Sequence, residues 1–410
     1  MVDIDLIRKN PQAIKEMMVA RNKSTDAVDL FMRLDDQWRE LVGEIQALRV
    51  EQKQYASQRN VEGGKEVKQR VQDKERALAA VEHERYEALL EIPNIPFGDV
   101  PRGKDESENV VVKTVGNIPQ FDFEPQDHLA LGEKLGIIDV KKASEVAGSR
   151  FYYLKGKGAL LELALIRYAF DVLGQEGFEA VIPPVMIKPE VYEKMGRLTP
   201  SQQEERYFIE RDNMYLVGSA EHTLGPLGMD ETFSADYLPK RYVGVSSCFR
   251  REAGSYGKDV KGILRVHQFD KVEMYSFTSP DQSEKEHELL LSLEERIFGG
   301  LEIPYRIVAI CTGDMGTTDA RAFDIEAWMP AQNTYREIAS CSNTTDYQTR
   351  GINTKVRSKE GSVYAHALNA TALAVGRTII ALLENSQRAD GSISIPKMLQ
   401  KYTGFDTIEV

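Results

Sequence analysis

Leu30, Leu34, Trp38, Leu41, Ile45, Leu48 and Tyr55 recur at spacings of four or three, with Gln52 as one polar break. Such a repeat lays a single apolar seam along an α-helix. A second repeat follows Gly63-Gly64 through Val67, Val71, Leu78, Val81, Ala88 and Ile92, with Lys74 and Arg85 at seam positions. Two heptad runs parted by a short glycine turn predict an antiparallel helical hairpin, or coiled coil, over about residues 26–92. Its first helix would run about 35 residues, or about 50 Å. A dimerisation coil, a spacer and an arm with an RNA-binding tip all fit this pattern. Between Arg49 and Arg70, six basic residues face three acidic ones, although the whole chain carries −12. The overall charge argues against binding nucleic acid through the whole surface, whereas a local +3 suits a phosphate backbone.

The 410 residues are enough for two or three domains, and 42% hydrophobic with 28% charged residues is ordinary for a globular chain. No apolar run nears the roughly 18 residues needed to span a bilayer. The start, MVDIDLIRKNPQ, lacks an apolar leader core, so a cytoplasmic location without membrane association is expected. Cys248, Cys311 and Cys341 are far apart and form no CxxC pattern, which predicts small buried thiols and no structural zinc. A short helix is expected over Asp3–Val19, with Pro11 near a turn. The Pro/Gly-punctuated run Ile92–Val110 reads as a linker. The resulting division is 1–98, a linker at 99–109, and 110–410.

Within the larger part, Cys248–Tyr275 reads CFRREAGSYGKDVKGILRVHQFDKVEMY. Apolar alternation near Tyr242–Phe249 and Val266–Tyr275 predicts two strands joined by a long basic loop. Arg265, Phe269 and Glu273, four apart, would share one sheet face, with Arg250 and Glu252 at the end of the first strand. Guanidinium forks, a flat aromatic and a carboxylate suit a nucleoside triphosphate and an ammonium-bearing substrate. An exposed charged hairpin is the plainer alternative. Helices are expected at Gln126–Gly136, Leu160–Leu173 and, as a solvated face, Ser283–Phe298. Strands are expected at Gly177–Met186, Arg306–Ile310 and Phe323–Trp328, with Ala331–Asn333 as loop. In Leu216–Leu224, LVGSAEHTL, Ser219 fits a helix N-cap as well as a ligand contact. Glu337 and Ser340, three apart in YREIASCSN, could put a carboxylate and a hydroxyl on one Mg²⁺. Leu368–Leu383 reads as a strand entering a helix through Gly376-Arg377.

FRRE, a glycine-containing loop and RVHQFDKVEM resemble motif 2 of class II aminoacyl-tRNA synthetases, and HQFDKVEM resembles its seryl-tRNA synthetase form. The same family carries an N-terminal hairpin, a run similar to IPNIPFGDVPRGKDE, a motif 1 similar to GFEAVIPPVM and a motif 3 similar to LNATALAVGRTIIALL. The resemblance, closest to the bacterial type, covers nearly the whole chain. It implies an α+β protein: the helical hairpin plus a catalytic domain on a mainly antiparallel sheet flanked by helices.

The implied activity is ATP-dependent formation of seryl-adenylate and transfer of the seryl group to serine tRNA. The resemblance admits selenocysteine tRNA as a second acceptor. Arg250, Arg265 and Arg377 would be catalytic. Ser219, Ala220, Glu221, Arg250, Glu273, Asn369 and Thr371 would enclose L-serine. ATP would meet Arg250, Arg251, Glu252, Arg265, Val266, Phe269, Glu337, Ile338, Ala339, Ser340 and Arg377, with Mg²⁺ on Glu337 and Ser340. Arg59, Lys65, Lys68 and Arg70 would grip tRNA, and Pro184 would lie at a homodimer interface. The chain departs from the family pattern at Ser219, usually Thr, and at Ala370, Thr371 and Ala372, usually Gly, Ser and Gly. The alternatives are a paralogue that loads an amino acid onto a carrier protein and a non-catalytic binding protein of the same fold.

Overall fold

A computed structural model describes residues 1–253, 261–359 and 361–409. It contains two compact units, Met1–Ile95 and Pro96–Val410.

In the first unit Asn10 divides the expected helix Asp3–Val19 into Ile4–Lys9 and Pro11–Ala20. The Asn10 carboxamide accepts from Ala13 N–H at 3.1 Å, and Pro11 follows at the first helical position, where its missing N–H breaks no bond. The hairpin helices are Asp26–Ser57 and Val61–Leu90. Their turn falls at Gln58–Asn60, ahead of the two glycines expected to form it. Arg59 takes the left-handed conformation (φ 56°), and Asn60 caps the second helix by accepting from Gly63 N–H at 3.0 Å. Gly63 is helical. A Cβ there would come within 2.8 Å of the Tyr55 ring, so its absence lets the helices close beside the tip.

The seam also differs from the expected one at its start, where Leu30 is exposed and Val28, Phe31 and Leu34 are buried. Lys74 leaves the seam to pair with Glu44 at 2.6 Å. Arg85 stays, with its guanidinium over the Phe31 and Trp38 rings and 2.7 Å from the fully buried Asp35. Arg8 binds the same carboxylate at 2.8 and 2.9 Å. Burial opposes the charge on Asp35, but the two guanidinium groups outweigh it and lower the pKa.

The second unit is built on eight strands: β1 (Val110–Val115), β2 (Glu179–Val181), β3 (Lys240–Phe249), β4 (Gln268–Thr278), β5 (Tyr305–Ala309), β6 (Arg321–Met329), β7 (Thr334–Asn343) and β8 (His366–Ala374). They lie in the order β1-β5-β6-β7-β8-β4-β3-β2. Every neighbouring pair is antiparallel except β2 with β3. The strand expected over Gly177–Met186 stops at Val181, before Pro183-Pro184, because proline cannot donate to the ladder. Arg265 precedes β4 instead of lying on it, and most of the basic loop (254–260) lies outside the described residues.

Helices Lys157–Gly174, Ser283–Gly300 and Val375–Asn385 supply the core against this sheet, through Leu161, Leu165, Leu293, Ile297 and Ile379 packed with Val272, Met274 and Ala372. Ser283–Gly300 is therefore more than the solvated face expected. Glu286 is buried against Arg241, and Glu294 is fully buried, which pushes its carboxyl well above the usual range. Residues 99–109, expected as linker, belong to this unit, where Val100 packs with the preceding Phe97 against Val308, Ile310 and Met315. All three cysteines are buried. Among the described residues no helix is long and apolar enough to cross a membrane.

Candidate active site

A cavity of about 250 Å³ opens on the sheet face opposite the helical core. Strand alternation gives it Phe269, Lys271 and Glu273 from β4. On its neighbours, alternation alone fails. The pairing of β4 with β8 skips Ala372, so that Asn369 and Thr371 line the cavity before the bulge, and Ala374 and Gly376 line it after. The pairing of β6 with β7 skips Ile338, and this bulge lets Glu337 and Ser340, three apart, line the same cavity. Without it they would sit on opposite faces.

One end of the cavity is built for a small polar ligand. Glu273 is buried, and its Oε2 lies 2.5 Å from Lys271 Nζ and accepts from Ser219 Oγ at 3.2 Å. Ser219 also accepts from Glu221 N–H at 3.1 Å, so its hydroxyl holds the local turn and the site carboxylate at once. Burial raises the Glu273 pKa, and Lys271 opposes the rise. Glu221 is buried too, but Arg197, at 2.8 and 2.9 Å, and Gln348, at 2.8 Å, hold its pKa down. Among the described residues the buried Asn369 Nδ2 has no hydrogen-bond partner, a donor still owed an acceptor. Lys271 Nζ lies 3.5 Å from Thr371 Oγ1.

The other end is cationic. Arg377 lies 3.2 Å from Glu337 Oε1 and donates to Glu337 O at 2.9 Å. The Glu337 side chain is 51% exposed, and Arg377 and Arg250 outweigh its partial desolvation and lower its pKa. Asp324, paired with Ser340 across β6 and β7, is pushed well above the carboxylate range by burial and by the nearby Glu337. This oxygen-rich corner, with one ionised carboxylate and one hydroxyl, fits a hard divalent cation that also binds phosphate. Arg250 lines the same cavity: its Nε donates to Gly218 O at 3.2 Å, and the guanidinium lies 5.3 Å from the Phe269 ring.

Most of the expected residues meet here, including Glu221, Arg250, Glu252, Val266, Ile338 and Ala339. Arg265 instead reaches Glu252 at 3.4 Å and lines adjoining clefts. Ser219 lines one of those clefts, and Ala220 is buried in a separate apolar cluster. Arg251 turns away: its Nε donates to Arg206 O at 2.9 Å, and its guanidinium lies over Tyr207. Sequence reasoning missed Lys271, Arg197, Asp319 and Ser342 in the lining. Lys271 was accessible, since it alternates with Phe269 and Glu273. Arg197 and Asp319 come from distant loops and carry no local signal.

At the hairpin tip, Arg59, Lys65 and Lys68 are exposed, and none forms an ion pair among the described residues. Arg70 is also exposed and lies 3.7 Å from Glu51.

This sheet, with its cationic and carboxylate-lined cavity, defines a class II aminoacyl-tRNA synthetase core. Residues 207–386 match the tRNA synthetase class II core domain (G, H, P, S and T), and residues 1–96 match the seryl-tRNA synthetase N-terminal domain. The chain belongs to the seryl-tRNA synthetase family. It is 42% identical to a serine–tRNA ligase of Rubrobacter xylanophilus and 43% identical to one of Acidothermus cellulolyticus, in each case over 100% of this chain and 99% of the relative. A seryl-tRNA synthetase from Pyrococcus horikoshii, solved with ATP, superposes with a TM-score of 0.92 at 39% identity, covering 100% of this chain and 99% of that one.

Proposed function

We infer that the protein is a serine–tRNA ligase working in two steps. The serine carboxylate attacks the α-phosphorus of ATP; the bond to the bridging oxygen breaks, pyrophosphate leaves and seryl-adenylate remains. A ribose hydroxyl of the terminal tRNA adenosine then attacks the seryl carbonyl, the ester to tRNA forms, and AMP departs. The first step needs no general base because the attacking carboxylate is already ionised. The chain's own work is alignment and charge stabilisation.

The observation that carries this reading is that Arg250 lines one cavity together with the Lys271–Glu273 pair and the Glu337–Arg377 pair. In the proposed roles, Arg250 holds the serine carboxylate and the α-phosphate. Phe269 stacks adenine, while Glu252 faces its amino edge. Arg265 and Arg377 meet the outer phosphates. Glu273 takes the serine ammonium, with Ser219, Asn369 and Thr371 around the hydroxyl. Glu337 and Ser340 would hold Mg²⁺, which when bound neutralises phosphate charge. Arg59, Lys65, Lys68 and Arg70 engage the tRNA backbone, with selenocysteine tRNA a further candidate acceptor. A homodimer through the Pro184 region is supported by the exposed apolar side chain of Ile182, two residues away and 78% exposed. Three buried free thiols fit a cytoplasmic setting.

ATP–pyrophosphate exchange tests the reading, with serine, threonine, alanine, cysteine and glycine offered separately and Mg²⁺ present. Exchange with serine alone, abolished in Arg250→Ala, is the expected outcome. Exchange with a different amino acid would move the protein to a paralogue, and none at all would leave a binding protein.

A further inference from the structure

Beside the cavity wall, three segments distant in sequence meet on one imidazole. His128 is buried at the start of helix His128–Lys134. Its backbone N–H and its Nδ1 lie 3.2 and 3.0 Å from Glu384 Oε1. Glu384 is fully buried and accepts Ala331 N–H through Oε2 at 3.1 Å. On the far side of the ring, Nε2 accepts the backbone N–H of Ile263 at 3.2 Å. These partners assign the proton to Nδ1 and leave the Nε2 lone pair for the peptide. The neighbouring Gln387 carboxamide clasps the Gln126 backbone N–H and carbonyl at 2.8 and 3.0 Å, so the whole 126–128 segment is tied to helix Val375–Asn385.

Ile263 and Leu264 line the cavity. Gly376, in the first turn of the helix carrying Arg377, approaches the same residue through the next peptide group: a Cβ on it would lie 3.9 Å from Ile263 O. Gly262 has φ 80°, and a Cβ there would fall 2.1 Å from His128 Nε2. The backbone therefore touches the imidazole at a position only glycine allows. A histidine satisfied merely as core would not need to join a cavity-wall peptide to the helix that presents the phosphate-facing arginine.

We propose that His128 is a positioning residue for ATP: it fixes Ile263–Leu264 to Glu384, and so sets the cavity wall against Arg377. This rests on reading the cavity as the ATP site. The geometry of that wall matters because small misplacements in a binding site carry large kinetic penalties.

The test is pyrophosphate exchange by the full-length chain carrying His128→Asn, His128→Gln, Gly262→Ala or, as a control on the site itself, Phe269→Ala. Asn keeps a donor near Glu384 and has nothing at the Nε2 position, whereas the Gln carboxamide oxygen reaches it. His128→Asn should raise the ATP KM about tenfold, with kcat and the serine KM within twofold, and His128→Gln should recover most of the loss. Gly262→Ala should reproduce the ATP defect from the loop side while His128 and Glu384 stay intact, and it carries the test if His128→Asn does not fold. An unchanged ATP KM in His128→Asn or Gly262→Ala, or an equal loss in every parameter, overturns the proposal. An unchanged ATP KM in Phe269→Ala would instead overturn the ATP-site reading and this proposal with it.

Discussion

Lys271 Nζ lies 2.5 Å from Glu273 Oε2, with both side chains buried in the cavity floor. Breaking a buried pair by removing one partner typically costs about 3–5 kcal/mol. Lys271→Met should therefore lower kcat/KM for serine by about 100-fold or more, provided Glu273 receives the ammonium. The pH profile separates this from general damage. Burial already raises the Glu273 pKa while Lys271 opposes the rise, so the variant's carboxyl should lose its charge at a higher pH than the wild type's. The acid limb of serine kcat/KM should move to higher pH. A limb that stays put would show that Lys271 does not govern the ionisation of Glu273.

The Glu337 carboxylate is kept ionised by the neighbouring Arg377 and Arg250. Glu337→Gln keeps the shape and removes the charge. The Mg²⁺ concentration giving half-maximal exchange should rise by about tenfold, roughly the 1.4 kcal/mol of one lost charge-assisted contact. A magnesium titration superimposable on the wild type would place the cation elsewhere.

In the hairpin unit, Asp35 is buried between Arg8 and Arg85. Asp35→Asn should destabilise this unit by roughly 3–5 kcal/mol at neutral pH, read as a lower Tm by circular dichroism. The folded-state pKa of Asp35 lies below its unfolded value, so its contribution is present above the unfolded pKa and is lost as pH falls through the folded one. The wild-type advantage should shrink in acid. An equal gap at every pH would mean that packing, and not the carboxylate charge, stabilises the seam.

Arg59→Ala, Lys65→Ala and Lys68→Ala combined remove three exposed cations from the hairpin tip. If the tip meets a phosphate backbone, tRNA binding weakens and the slope of log affinity against log salt flattens by about 2–3, at roughly 0.7–0.9 per contact. Filter binding across a salt series measures this. An unaltered slope would leave the arm as a spacer.

The elements most legible in the sequence were those whose cause is local. Heptad spacing gave the hairpin, and alternation gave β3 and β4 to within a few residues. The glycines misled because Gly63 is present for its closeness to Tyr55, while Asn60 and Arg59 make the turn. Ser283–Gly300 misled because its charges read as solvated, although Glu286 is buried against a partly buried arginine that only the folded chain brings near. Arg251 and Arg250 are adjacent and chemically alike, and only the fold sends one to Tyr207 and the other to Phe269. For Arg197 and Asp319 the information is entirely tertiary.

The extra residue at Ile338 divides β7 into two frames of count. Odd numbering reaches the cavity at Glu337, and even numbering reaches it at Ser340 and Ser342. Pairing the same residues without that irregularity would leave composition, strand propensity and every neighbour in the sequence unchanged, yet turn the hydroxyls into the apolar interior. Anyone transplanting this cavity face to another sheet with its sequence intact must carry the irregularity along with the side chains, since a regular strand of that sequence would present the carboxylate or the hydroxyls, never both.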